Sequence, residues 1–232
     1  FMQRAFDNVI HDVAIQRLPV VLCLDRGGLV GEDGVTHHGV FDMAAFGAVP
    51  GLTIAAPMNE PELRNMMYTA LGSGHPFMIR YPRGHGEGLP WRGEKFETLP
   101  VGRGRRLREG ADVALLTVGT VGNAAARAAG RAAAEGVSVA HYDLRFVKPL
   151  DDALLDEVGR KFRRVVTVED GSLRGGVGEA VAAFFNGRGY DVRVQRLGIG
   201  DEWVEHGTPG QLYALCGYDE EGILRALLDT RA

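Results

Sequence analysis

The chain has 232 residues, 45% of them hydrophobic and 24% charged, with a formal net charge of −4. That composition excludes a disordered chain and suits one large domain or two small ones, and the mildly acidic balance argues against a nucleic-acid partner. Apolar runs stop well short of the roughly 18 residues of a membrane helix and no signal pattern is present, so a cytoplasmic protein without a membrane partner is expected.

Phe1, Met2, Ala5, Phe6, Val9, Ile10 and Val13 follow helical spacing, which predicts a helix over residues 1–16. No capping residue precedes it, so the chain is expected to begin inside an element, as a piece of a longer protein. Residues 18–24 form a continuous apolar run and predict a strand buried on both faces. A Gly-rich polar loop follows over residues 25–39, then a short helix near 42–48 and a strand over 52–56. Asn59-Glu60-Pro61-Glu62 reads as a helix start, with Asn59 as N-cap and Glu62 at the capping-box position. That helix should run to about residue 71, and a strand should follow over 77–81.

Residues 84–110 break the pattern with Gly, Pro and charge, and read as a linker holding one short strand near 101–109. Beyond it, strands are predicted over 112–118, 137–143, 164–168 and 192–197. Helices are predicted over 121–135, 151–162, 175–185, 209–215 and 220–230. The alternation gives an α/β fold with two open, mostly parallel sheets, divided as residues 1–84, a linker 85–110, and residues 111–232. Cys23 and Cys216 sit in apolar surroundings and read as buried free thiols, not as a disulfide or zinc site.

Only three of the 26 basic residues are lysines, so an anion site here should be built from arginine. In open parallel sheets, ligands bind beyond the carboxyl ends of the strands. That rule selects Arg26, after the strand 18–24, and Arg83, after the strand 77–81. Two guanidinium groups at one sheet edge suit a phosphate or carboxylate, although salt bridges to Asp25 or a loop carboxylate fit the same placement. The loop between them contains Asp33 and the pair His37-His38. A histidine exchanges protons near neutral pH, and an acid four residues earlier could orient it or bind a hydroxyl. A metal site is disfavoured, because no further His or Cys cluster supplies ligands. Gly175-Gly176-Val177-Gly178 and Gly119-Thr120-Val121-Gly122 are loose matches to phosphate loops, and close helix–sheet packing explains them equally well.

Several stretches carry a resemblance in the same order along nearly the whole chain. They are Phe1-Met2-Gln3-Arg4-Ala5-Phe6-Asp7, the loop Asp25-Arg26-Gly27-Gly28-Leu29-Val30-Gly31-Glu32-Asp33-Gly34-Val35-Thr36-His37, Arg80-Tyr81-Pro82-Arg83-Gly84, Asp143-Leu144-Arg145-Phe146-Val147-Lys148-Pro149-Leu150-Asp151, and Glu205-His206-Gly207. The chain resembles the 1-deoxy-D-xylulose-5-phosphate synthases of the transketolase superfamily. The resemblance implies a partial pyrimidine-binding domain followed by a C-terminal domain. It also implies a homodimer that uses thiamine diphosphate and Mg2+ to condense pyruvate with D-glyceraldehyde 3-phosphate, releasing CO2. The product is a precursor of isoprenoids, thiamine and pyridoxal.

By the same resemblance Phe1 packs on the cofactor's aminopyrimidine. Arg4, Arg26 and Arg83 bind substrate, with Arg26 and Arg83 suited to the acceptor phosphate, and Asp33 and His37 are catalytic. The diphosphate and metal ligands and the activating glutamate are expected in an N-terminal part of the same protein, without which this chain should not turn over. Two other readings share the architecture: the β subunit of a 2-oxo acid dehydrogenase, and a non-catalytic scaffold. The loop from Asp33 to His37 speaks against the first.

Overall fold

The structure is a computed structural model that describes residues 2–93 and 95–229. Two open sheets form its frame. The first has strand order β1-β3-β2-β7, with β1 (Val21–Leu24), β2 (Thr53–Ala55), β3 (Phe77–Arg80) and β7 (Phe146–Lys148). The second has order β4-β6-β5-β8-β9, with β4 (Arg105–Arg108), β5 (Val113–Val118), β6 (Val139–Asp143), β8 (Arg164–Ser172) and β9 (Arg193–Ile199). Strands β1, β2 and β3 pair in parallel, as do β5, β6, β8 and β9. Only β7 and β4 join antiparallel, each at an edge. The expected α/β class with two mostly parallel sheets is therefore found.

Period-2 alternation explains how the second sheet is covered. Val113 and Leu115 of β5 pack with the alanine face of α4 (Val121–Ala134) and with α8 (Glu220–Leu228). Ala114, Leu116 and Val118 turn to the other side, against α5 (Asp152–Lys161) and α6 (Val177–Gly187). Side-chain caps start helices in both halves of the chain. Asn59 accepts from Glu62 N at α3 (Glu60–Gly72), Asp151 accepts from Leu154 N at α5, and Thr208 closes a capping box with Gln211 at α7 (Pro209–Leu215). Each such cap contributes about 1 kcal/mol.

Five expectations need correction. The strand β1 is an edge strand, so only Leu24 of it is buried, and Cys23 is exposed while Cys216 is partly exposed. Residues 2–14 form a composite of a 3-10 turn (Met2–Ala5), a short α1 (Phe6–Asn8) and a π turn (Val9–Ala14), where one regular helix was expected. Strand β8 runs on to Ser172, which places Glu169 and Asp170 inside the sheet. Strand β7 went unpredicted: its three residues are too few to show a period, and it crosses from the second half of the chain to pair with β2. Last, the Glu62 side chain takes Arg105 and Arg145 at 2.8 Å each instead of turning back to the helix end, which ties α3 to the segments around β4 and β6. No helix among the described residues is long and apolar enough to cross a membrane.

His141 on β6 is 1% exposed, and its Nε2 lies 2.9 Å from Thr117 Oγ1. Burial, with Arg105 and Arg108 nearby, pushes its pKa down to about 4. The unfolded chain, with an ordinary value near 6.5, binds the proton first, so this contribution is complete above pH ~6.5 and is lost as pH falls toward 4. Relative to His141→Gln, the parent should lose about 3 kcal/mol of unfolding free energy across that window. Denaturant titrations at several pH values check this, and parallel curves for the two proteins would refute a buried neutral imidazole.

Candidate functional site

Parallel pairing of β1 with β3 sets Leu24 level with Arg80, so the two strands end side by side. Asp25 and Arg26 leave one end, and Tyr81, Pro82 and Arg83 leave the other. The loop between Arg26 and Gly39 returns to the same edge. Gly28 and Gly39 exchange backbone hydrogen bonds of 2.7 and 2.8 Å, and Gly27 N–H donates to the Tyr81 carbonyl at 2.9 Å. A 3-10 turn (Gly31–Asp33) then brings Asp33 back over the strand ends.

Asp33 is where the selected side chains meet. Its Oδ2 accepts a hydrogen bond from Arg83 Nη1, and Arg26 Nε lies 3.6 Å from the same oxygen. Desolvation raises the Asp33 carboxyl, but the Arg83 hydrogen bond and charge, with His37 and Arg26 beside it, outweigh that and hold it below the ordinary range. Arg26 also contacts Asp25 Oδ2 at 3.3 Å. Its backbone has φ 59°, a left-handed conformation costing a non-glycine residue about 1–2 kcal/mol. Among the described residues its buried Nε has no hydrogen-bond partner. Strain of this kind persists where surrounding structure enforces it, and it concentrates at functional sites.

His37 stands on the same loop, with Nδ1 2.9 Å from Thr36 Oγ1. His37 and Arg26 line a cleft of about 190 Å³ that also includes Met2, Gln3, Cys23 and Phe41. Arg83 instead faces a larger cavity of about 600 Å³ between the two sheets, whose other walls include Asn59, His85, Thr120, Arg127 and Tyr213. The structure thus brings together Arg26, Asp33, His37 and Arg83. Arg4 is exposed on the 3-10 turn and lines neither cleft. Phe1 lies outside the described residues.

The residues that hold this loop were not selected by sequence reasoning. Arg80, 4% exposed, donates to Asp42, the first residue of α2 (Asp42–Gly47), at 2.7 Å, to the Gly39 carbonyl at 3.2 Å and to the Asp170 carbonyl at 2.9 Å. The Asp170 carboxylate accepts from Leu29 N–H at 3.0 Å, Tyr218 O–H at 2.8 Å and Tyr213 O–H at 3.3 Å. Burial pushes the Asp170 carboxyl up against the opposing pull of Arg80 and these donors. The available signals were an arginine ending an apolar strand and an Asp after Glu169. Neither is distinctive alone.

The Gly175–Gly178 stretch is not an open anion site. Glu169 fills it, accepting from Val177 N–H at 2.7 Å and Gly178 N–H at 2.8 Å, so the helix N-terminus already holds an internal carboxylate. Gly176 makes room for it, since a Cβ there would lie 2.4 Å from Glu169 Oε2. The Glu169 carboxyl is pushed up to about 6 by burial, against those two hydrogen bonds. Among the described residues no group of three or more His, Cys, Asp or Glu could hold a metal ion.

Comparison with known proteins matches residues 1–87 to the transketolase pyrimidine binding domain and residues 102–223 to the transketolase C-terminal domain. The chain is 58% identical over 233 residues to a 1-deoxy-D-xylulose-5-phosphate synthase of Bacteroides fragilis, covering 100% of this chain and 36% of that protein. The synthase of Symbiobacterium thermophilum is 48% identical over 223 residues, or 96% of this chain and 34% of that protein. A solved split-gene transketolase, described as an inactive beta4 tetramer, superposes with a TM-score of 0.83 at 28% identity. The match covers 97% of this chain and 70% of that one. The chain spans about a third of the length of the curated relatives it matches.

The tightest approach beneath the loop is at Gly28, which has φ 91° and where a Cβ would lie 1.9 Å from Asp170 Oδ2. Gly28→Ala must either break the Asp170 hydrogen bonds or displace the loop. It is expected to destabilise the protein by about 2 kcal/mol or more. Gly51→Ala, also at positive φ (74°) but with open space around it, is the control for backbone strain alone. Equal losses in the two variants, measured by denaturant unfolding, would rule out the close approach as the cause.

Proposed function

The chain belongs to the transketolase family, and on that premise we propose that it is part of a 1-deoxy-D-xylulose-5-phosphate synthase. The protein then condenses pyruvate with D-glyceraldehyde 3-phosphate, releasing CO2. Its product, 1-deoxy-D-xylulose 5-phosphate, feeds the methylerythritol phosphate route to isoprenoids and the synthesis of thiamine and pyridoxal. The named relatives support this reading over the dehydrogenase β subunit and over a silent scaffold. On this reading the protein is a cytoplasmic homodimer, and the chain divides into a partial pyrimidine-binding domain (1–84), a linker (85–110) and a C-terminal domain (111–232).

The observation that carries the proposal is the convergence of Arg26 and Arg83 on Asp33 at the carboxyl ends of adjacent strands. The two guanidinium groups are paired with Asp33 and, at Arg26, also with the more exposed Asp25, so an incoming anion exchanges with carboxylates that can turn to solvent. A phosphate dianion arriving there gains planar, charge-assisted donors. Asp33 draws both arginines toward one point, and Asp25 takes the Nη1 of Arg26. Arg26 brings a buried Nε without a hydrogen-bond partner among the described residues, a donor suited to an incoming oxygen. His37 sits in the field of Asp33 and can give or take a proton at the reacting end of the acceptor. The substrate-binding role of Arg4 rests on the family resemblance alone, since Arg4 lines neither cleft.

Thiamine diphosphate supplies the electron sink for loss of CO2 from pyruvate. The arginine–histidine donor set fits the substrate end of such a reaction. It does not fit a Mg2+–diphosphate group, which needs oxygen ligands. On the family resemblance the metal and diphosphate ligands come from an N-terminal part of the same protein, and Phe1 is the cofactor contact within this chain.

Full-length protein assayed with thiamine diphosphate and Mg2+ should release CO2 from pyruvate in a manner dependent on D-glyceraldehyde 3-phosphate. Release coupled only to a lipoyl acceptor would overturn the assignment. Arg26→Ala should raise the Michaelis constant for the phosphorylated acceptor roughly tenfold or more and leave that for pyruvate near its parent value. An unchanged acceptor constant would sink the phosphate role. His37→Ala should lower turnover with the fold intact, as read by circular dichroism beside the kinetics. A parent rate would reduce His37 to a solvated turn residue.

A further inference from the structure

The loop bearing Arg26, Asp33 and His37 ends in a second histidine, His38, to which the reaction proposed above gives no task. Its ring spans the two halves of the molecule. Val30 N–H donates to His38 Nδ1 at 3.1 Å, so Nδ1 carries a lone pair and the neutral ring holds its proton on Nε2. That Nε2 lies 3.0 Å from the Val204 carbonyl oxygen, which can only accept. Both contacts require the same tautomer. The backbone groups they satisfy belong to buried residues, Val30 at 3% and Val204 at 9% exposure, where an unmet donor or acceptor is costly.

The geometry gives this bridge a purpose. The contact from Val30 to His38 closes the base of a small loop whose 3-10 turn carries Asp33 and whose far side carries His37. Gly31 and Gly34 within it adopt φ 78° and 71°, and two backbone bonds, Gly34 N–H to the Gly31 carbonyl at 3.1 Å and His37 N–H to the Gly34 carbonyl at 3.0 Å, shape the turn without tying it to anything outside itself. Its outer side rests on the chain that follows β9. A Cβ on Gly31 would lie 2.8 Å from Pro209 Cδ, and one on Gly34 would lie 3.3 Å from His206 Cβ. The backbone contact across to that chain, Gly207 N–H to the Gly31 carbonyl, is long at 3.5 Å. His38 supplies a short, directed bond on each side.

We propose that His38 is a positioning residue: as its Nε2–H tautomer it latches Val30 to Val204 and so fixes the loop segment that presents Asp33 and His37. The functional part rests on the synthase reading given above. The latch itself does not, and the test separates the two.

Full-length protein with His38→Phe keeps a ring of similar breadth and loses both hydrogen bonds. His38→Gln offers an acceptor oxygen and a donor nitrogen on one planar group. Hydrogen–deuterium exchange at Val30 should accelerate roughly tenfold or more in His38→Phe and stay within about threefold of the parent in His38→Gln. Turnover with D-glyceraldehyde 3-phosphate should fall about tenfold or more in His38→Phe, with the pyruvate Michaelis constant little changed, and recover in His38→Gln. Unchanged exchange in His38→Phe would overturn the latch. Accelerated exchange with undisturbed kinetics would overturn the positioning role, and equal losses in both variants would show that ring packing, not hydrogen bonding, is what counts. If the parent has no acceptor-dependent activity, the synthase reading fails and the exchange data still decide the latch.

Discussion

Two buried charges, Arg80 on β3 and Asp170 on β8, fix the loop on which the rest of the site depends. Arg80 reaches across to the Gly39 and Asp170 carbonyls, and the Asp170 carboxylate reaches back to Leu29. Each end of the loop is thereby held by a group from a different strand. Burying such charges is costly unless every lone pair and proton is used. Here Asp42 answers Arg80, and Tyr213 and Tyr218 complete the shell around Asp170. Gly28 allows the carboxylate to come this close, because any side chain at that position would occupy its space.

This foundation explains how the site tolerates strain. Arg26 is held in a left-handed conformation at the point where the loop leaves β1, with Gly27 bonded to Tyr81 on one side and Gly39 packed over its carbonyl. The surrounding bonds and packing enforce that conformation. The outcome is a guanidinium shared between Asp25 and Asp33. The charges above the loop differ in kind from those below. Asp33, Arg26 and Arg83 are partly or largely exposed and can exchange partners with an incoming anion, whereas Arg80, Asp42 and Asp170 are buried and have no room to do so.

Much of this was legible in the sequence, for physical reasons that also mark where the reading stopped. Strand β5 and helix α4 announced themselves through unbroken apolar and alanine patterns, and the end-of-strand rule found Arg26 and Arg83 because connectivity alone decides which residues leave a parallel strand. Asp33 and His37 followed from the unusual loop. The failures share a cause. Whether β1 is an edge or a centre, whether Glu62 turns back to cap its helix or outward to Arg105 and Arg145, and what fills the N-terminus of α6 are all settled by residues distant in the chain. Local pattern carries no information about them. The Gly175–Gly178 stretch is instructive here, because the same glycines that would cradle a phosphate serve to admit Glu169.

The second sheet is therefore more than a covering for the first. Its strand β8 delivers Asp170 under the loop and Glu169 to α6, and the chain beyond β9 supplies the Val204 carbonyl, His206 and Pro209 along the loop's outer side. Glu62, Arg105, Arg145 and Asp143 tie the two halves together a second time. A loop rich in glycine is costly to order, since each such residue gives up more conformational freedom than any other, and its internal bonds, Gly28 with Gly39 and Gly34 to Gly31, fold it without fixing its place. Its place over the strand ends comes from what it is bonded to. In this molecule those bonds come from both sheets, so the arrangement of Arg26, Asp33, His37 and Arg83 is a property of the two halves together and not of the loop sequence alone.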